Sequence, residues 1–311
     1  MKVVPFRELP VGWEAQNVLL MHQAFGSSWD PRRLGREHQY PPFADYLGLC
    51  ALDEGKLVAS VTVHRFPFRT REGEVISAGL GSVATLPTHR GRGLARKLVE
   101  EAHAREREAG IPFCFLYTGR SNVAHTLYEH LGYRDVLEFP RAVRHIPARA
   151  RRLPAGWVWR KARATDRQVV EHIHALRTRN ALGFTRRGFD WWSGPSGWFL
   201  VERDGRPRGY GQVEVQGKIK GCHEAIGLDR AARRVVLSAL EGHAAGSWLL
   251  LGSASMRELG TERARARYTL SPGSYGVLMA APLKTPTDAQ NLGHLLGVDS
   301  PTFAHGSQDA F

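Results

Sequence analysis

An apolar run from Ala78 to Leu86 ends at Pro87, and after the turn His89-Arg90-Gly91-Arg92-Gly93 an amphipathic helix begins at once. Leu94, Ala95, Leu98, Val99 and Ala102 recur on one face of that helix through Ala109, while Arg96, Lys97, Glu100, Glu101 and Arg105 fill the other. The order places a helix N-terminus beside a strand end. Backbone N–H groups there have no intrahelical partner and the helix dipole is positive, so the turn can hold an anion such as a pyrophosphate. Gly91 and Gly93 admit close approach of a ligand to the backbone, and Arg90 and Arg92 add charge. The turn has neither the Lys-Ser/Thr of a P-loop nor the three-glycine spacing of a dinucleotide fold.

Gly110 ends this helix, and Ile111 to Tyr117 reads as a buried strand. Ser121 or Asn122 can cap a further helix, on which Ala124, Leu127, Tyr128 and Leu131 share a face before Gly132 stops it. Upstream, Val18 to Phe25 has helical spacing, and Leu49 to Leu52 with Leu57 to Val63 flank Asp53-Glu54-Gly55 as a hairpin would. The order then repeats. Asp166 opens a helix with Val169, Val170, Ile173 and Leu176; Phe199 to Val201 and Tyr210 to Val215 flank Asp204-Gly205; Ala225 to Leu228 precedes a helix with Val235, Val236, Leu237 and Leu240; and Trp248 to Leu251 makes a strand. Two copies of one α/β unit are expected. The Arg-, Ala- and Pro-rich stretch from Pro140 to Pro154 supplies the connection, which sets domains at 1–147 and 148–283 and leaves a tail at 284–311. Within that tail only Leu292 to Leu296 resembles a helical turn.

Composition narrows the function. A chain of 311 residues with 42% hydrophobic and 23% charged residues is ordinary globular protein. It has no run of about 18 apolar residues and its N-terminus lacks a secretory core, so a cytoplasmic protein with no membrane partner is expected. Cys50, Cys114 and Cys222 have neither paired nor metal-ligand spacing and read as buried thiols, with no metal expected. The net charge of +13 raises nucleic acid as a partner, yet the basic residues are scattered outside the Arg144 to Arg163 region and no aromatic platform interleaves them. A basic surface that attracts an anionic cofactor accounts for the charge as well.

The segment SVATLPTHRGRGLARKL followed by SNVAHTLYEHLGY, within Gly79 to Tyr133, resembles the GNAT superfamily of acyl-coenzyme A transferases. Arg90, Gly93 and Ala95 match that family's Q/R-x-x-G-x-G/A motif, and the Asn…LYE..GY element is matched downstream. With the AFG near the N-terminus, AGLGSVATLPTHRGRGL and a second GNAT-like half, the chain looks like the tandem enhanced-intracellular-survival (Eis) type. The resemblance implies two tandem GNAT-like domains, each a mixed, mostly antiparallel sheet flanked by helices, the first carrying acetyl-coenzyme A as co-substrate. It implies that Val83 and Thr85 pair with the pantetheine arm as an added strand and that Arg90, Gly91, Arg92, Gly93, Leu94, Ala95 and Arg96 wrap the pyrophosphate. It adds Asn122 to the cofactor site and makes Tyr128 the general acid that protonates the departing thiolate. A phenol with a reference pKa of about 10 is protonated at neutral pH. The acceptor is then a primary amine of a small molecule or peptide.

The base has no diagnostic spacing: His22, His64, Glu72 and Glu74 are all candidates by type. In the Eis type the C-terminal carboxylate is implicated, which would be that of Phe311 here. The second half reads DRAARRV where the first reads RGRGLA, with no glycine to admit a pyrophosphate, so it is expected to bind no coenzyme A. Trp191, Trp192 and Trp198 are either walls of the acceptor pocket or core. A transferase of another acyl group, a mycothiol-synthase-like enzyme, a non-catalytic coenzyme A sensor and a nucleic-acid-binding module stay open as alternatives, as does a homo-oligomer.

Overall fold

The computed structural model describes residues 2–9, 12–26, 46–148, 153–184, 196–252, 255, 267–271, 276–284, 289–300 and 303–304. In the first half β1 (Lys2–Pro5) and α1 (Trp13–Phe25) precede an antiparallel run of β2 (Tyr46–Asp53), β3 (Lys56–Thr70) and β4 (Gly73–Thr85). Next come α2 (Leu94–Glu108), β5 (Phe113–Thr118), α3 (Val123–His130), β6 (Arg134–Glu138) and β7 (Ala142–His145). The second half repeats the order with β8 (Trp157–Lys161), α4 (Arg167–Thr178), β9 (Trp198–Arg203), β10 (Arg206–Gln216) and β11 (Ile219–Gly227). It continues with α5 (Arg230–His243), β12 (Trp248–Leu251), β13 (Thr269–Leu270), β14 (Val277–Pro282) and α6 (Ala289–Leu296). Two mixed, mostly antiparallel sheets flanked by helices result, as two GNAT-like units require.

The expected elements form where the apolar spacing placed them. The buried face of α2 is Leu94, Leu98, Val99 and Ala102, and it packs on Ala59, Val61, Val63, Ala78 and Leu80 of β3 and β4. Asn122, rather than Ser121, caps α3, its side-chain oxygen accepting the Ala124 N–H at 3.1 Å. The hairpin around Gly55 is present, but its strands and the next are longer than the apolar runs suggest: β3 continues through Pro67 to Thr70 and turns into β4 at Gly73.

The halves are not cut at a single point in the chain. The first sheet runs β1-β2-β3-β4-β5-β14-β6 and the second β13-β7-β12-β11-β10-β9-β8. Thus β14, late in the sequence, is inserted between β5 and β6, while β7, which precedes Ala148, pairs antiparallel with β12 and β13. The linear boundary expected at 147/148 is therefore crossed in both directions. The tail also takes a place in the first half: Leu292 and Leu296 of α6, with Val298 and Phe303, join Phe66, Phe68, Phe113, Phe115 and Phe184 in an aromatic core on the sheet face opposite α2. Phe68 stacks on Phe115 at 4.7 Å and meets Phe184 edge-on at 4.9 Å.

Trp198 is 1% exposed within the second-half core, so it is core rather than a pocket wall. Trp191, Trp192 and Phe311 lie outside the described residues. All three cysteines are buried free thiols, and burial pushes each up to about 12, which leaves them as small apolar groups. Among the described residues no helix is long and apolar enough to cross a membrane.

Candidate active site

β4 and β5 are parallel neighbours over only two residue pairs, Ala78 with Cys114 and Gly79 with Phe115. β4 continues to Thr85 and β5 to Thr118, so the strands part beyond Gly79. On that side no described strand pairs with Leu80 to Thr85, so the segment, which includes Val83 and Thr85, has no strand neighbour there. A bulge accompanies the parting. Thr62 pairs with Gly81 and Ser60 with Ala84, so Ser82 and Val83 together oppose Val61, and Ser82 sits at φ 50°. A left-handed serine costs on the order of 1 kcal/mol or more, and such strain collects at functional sites.

The strand ends in the turn that starts α2. Gly93 is the N-cap of α2 at φ 73°, with no side chain accepting from the first helical N–H groups. A Cβ added at Gly91 or Gly93 would meet nothing within 4 Å, so open space faces the backbone there. Bare N–H groups, a helix dipole and an open approach are what a pyrophosphate needs. Arg90, Arg92 and Arg96 are exposed around it, while Leu94 is buried and fixes the first turn of the helix on the sheet. Arg90 Nε donates to the Thr85 carbonyl at 3.3 Å, and an Arg92 nitrogen donates to the Thr88 carbonyl at the same distance.

Asp53, in the β2–β3 hairpin, anchors this turn from beneath. Its carboxylate lies 3.2 Å from His89 Nε2 and 3.9 Å from Arg92. Beyond the acidity of the hairpin turn, no local pattern signals this contact, because it joins residues 36 positions apart.

Tyr128 stands on the same side of the sheet as α2, within the core that includes Leu80 and Leu116, and is 7% exposed. Burial pushes its phenol up to about 12, so it holds its proton throughout the neutral range. Its ring meets Tyr133 edge-on at 5.8 Å. Behind it, the Tyr133 hydroxyl donates to Cys114 Sγ at 3.1 Å and lies 2.8 Å from His103 Nε2. A polar pair locks the ring that seats Tyr128.

Of the four base candidates, strand register places only His64 at the opening. His22 is exposed in the last turn of α1. Glu72 and Glu74 are exposed at the β3–β4 turn, and Glu74 is about 17 Å along the strand from Gly79 at ~3.4 Å per residue. His64 is the exception, for it pairs with Gly79 itself.

The second half shows what a closed version of the turn looks like. The N-cap of α5 is Asp229, whose carboxylate accepts the Ala232 N–H at 2.8 Å and is paired with Arg208 at 2.5 Å. That backbone N–H and the Arg208 charge hold the Asp229 carboxyl below its usual range. A carboxylate thus occupies the position that α2 leaves open. Moreover, a Cβ at Gly227 would lie 2.5 Å from the Arg233 nitrogen, so strand and helix backbones touch where a ligand would enter. Among the described residues no three His, Cys, Asp or Glu side chains converge as metal ligands would.

Residues 14–136 match the family model of the acetyltransferase (GNAT) domain. No curated protein sequence matches the chain. Among solved structures, a protein described as a probable N-acyltransferase from Enterococcus faecalis V583 is 15% identical and superposes with a TM-score of 0.68, covering 91% of this chain and 73% of that one. A GCN5-related N-acetyltransferase from Kribbella flavida is 17% identical with a TM-score of 0.64, covering 90% and 70%. Eis1 from Mycobacterium abscessus is 14% identical with a TM-score of 0.57, covering 89% and 73%. At these identities the likeness speaks for the fold, and it extends through both halves.

Proposed function

The chain carries a GNAT acetyltransferase domain, and from that premise we propose that it transfers the acetyl group of acetyl-coenzyme A directly to a primary amine of a small molecule or peptide. The observation that carries the reading is the adjacency of two unsatisfied backbone surfaces: the bare, glycine-capped N-terminus of α2 and the unpaired edge of β4 beyond Gly79. The first suits a pyrophosphate. The second suits an amide-rich arm that adds to the sheet as a strand.

In this reading Val83 and Thr85 hold the arm through their backbone, and Arg90 to Arg96 with Gly91 and Gly93 wrap the diphosphate. Asn122, which caps α3 by accepting the Ala124 N–H, belongs in this reading to the cofactor site as well. Tyr128 keeps a proton at neutral pH and stands on the cofactor side of the sheet. Its hydroxyl protonates the departing thiolate. The exposed guanidinium groups of Arg90, Arg92 and Arg96 raise the local concentration of the anionic co-substrate.

Thiol release from acetyl-coenzyme A against a panel of amines tests the activity, with calorimetric titration of coenzyme A beside it. Binding with acetylated product supports the proposal. Binding without thiol release from any amine turns the chain into a coenzyme A sensor, and no binding at all removes the site.

A further inference from the structure

Attack of an amine on a thioester involves two proton events on two sides of one carbonyl. The nitrogen sheds a proton on the side from which it approaches, while the thiolate gains one on the side of the cofactor. The first sheet separates those sides. Tyr128 belongs to the core on the α2 face. On β3, Val61 and Val63 point into that same core, whereas Phe66 and Phe68 point into the aromatic core opposite. By strand alternation His64 shares the face of Phe66.

Register then places His64 at the parting of the strands. It pairs with Gly79, and Gly79 with Phe115 is the last β4–β5 pair before the sheet opens. Gly79 and Gly81, its neighbours across the ladder, put no side chain over the opening from β4. His64 is half-buried, and the row continues through Thr62 and Ser60, whose buried hydroxyls have no hydrogen-bond partner among the described residues.

We propose that the His64 imidazole is the base of the transfer, taking the proton of the acceptor nitrogen on the face opposite Tyr128. This rests on the acetyl-transfer reading above. The acceptor lone pair forms the N–C bond at the acetyl carbonyl and the C–S bond breaks. The nitrogen's proton passes to His64, the thiolate takes the proton of Tyr128, and both side chains recover their starting states by exchange with solvent.

Burial holds His64 down at about 4, so the ring is uncharged at neutral pH. The same desolvation disfavours an ammonium and delivers the acceptor as the free amine. Attack then makes the nitrogen far more acidic than that amine, and a modest base suffices.

The test uses the full chain with His64→Gln and His64→Ala. Expected are unchanged coenzyme A affinity, a kcat lower by about 100-fold or more, and partial recovery of the Ala variant by added imidazole. A kcat within about threefold of the native value, with coenzyme A bound as before, overturns the base while leaving the transfer intact; a threefold change is too small for a lost proton-transfer group. Native chain that releases no thiol with any amine overturns both. Should neither variant bind coenzyme A, the His64 ring nitrogen signals of the native chain decide by NMR. A shift on adding the acceptor amine to the coenzyme A complex supports the proposal, and signals that stay put overturn it.

Discussion

His103 Nε2 lies 2.8 Å from the hydroxyl of Tyr133, and that hydroxyl donates onward to Cys114. With its one proton so used, the tyrosine accepts from the imidazole, which fixes His103 as the Nε2–H tautomer. Burial first, and the nearby charge of Arg107 second, hold His103 down at about 4. Above a pH of ~6.5, the reference value, the ring is neutral folded or unfolded, and its contribution is fully present. Between ~6.5 and about 4 the unfolded chain binds the proton and the folded chain does not, so stability falls as pH falls, by about 3 kcal/mol at the acid end. Urea unfolding at several pH values across that window checks it. His103→Gln should reduce the slope and leave the share of His64, which burial also holds down at about 4, and an identical slope in both chains would refute the assignment.

Tyr128→Phe removes only the hydroxyl and keeps the ring packed on Tyr133. Turnover should fall by about 100-fold or more, the usual contribution of a general acid, with coenzyme A affinity unchanged. Steady-state kinetics beside calorimetry separates the two terms. Undiminished kcat would return Tyr128 to a purely packing role.

Legibility in the sequence followed distance along the chain. α2 and the cap at Asn122 were readable because periodicity and capping are local. The full lengths of β3 and β4 were not. Pro67 and the charged turn from Arg69 to Glu74 interrupt the apolar alternation, although Pro67 lies in register with Ile76. The Ser82 bulge depends on Val61 across the ladder, and the position of His64 depends on a pairing with Gly79, so neither shows in a linear pattern. The base candidates were equal by type; register separates His64 from Glu72 and Glu74, while His22, on α1, has no strand partner to place it.

The contrast between Gly93 and Asp229 makes a direct prediction. Asp229 closes its own helix N-terminus with a carboxylate, and Gly93 leaves the other open. Gly93→Asp should place a carboxylate at the proposed pyrophosphate site, at a positive φ that aspartate tolerates better than most residues. Coenzyme A affinity should drop by at least about tenfold, or ~1.4 kcal/mol, while the melting transition stays cooperative. Retained affinity would move the pyrophosphate away from α2.

The exchanged strands predict that the first half cannot be separated by cutting the chain at 147. β14 pairs with β5 from Val277 to Pro282 and with β6 from Val277 to Ala280, so its removal opens two edges in the middle of the sheet. Removal also strips Val277, Met279 and Ala281 from the core under α2, and Leu278, Leu292, Leu296 and Phe303 from the aromatic core on the other face. Each large buried side chain is worth ~1.5–3 kcal/mol, and their sum reaches the whole stability of a typical domain, about 5–15 kcal/mol. The second sheet loses β7 in the same cut and opens an edge at β12. Expressed alone, residues 1–147 should aggregate or melt without cooperativity, and co-expression with 148–311 should restore a complex that binds coenzyme A. A soluble 1–147 fragment with a cooperative melt and full coenzyme A affinity would show that β14 is dispensable to the first sheet.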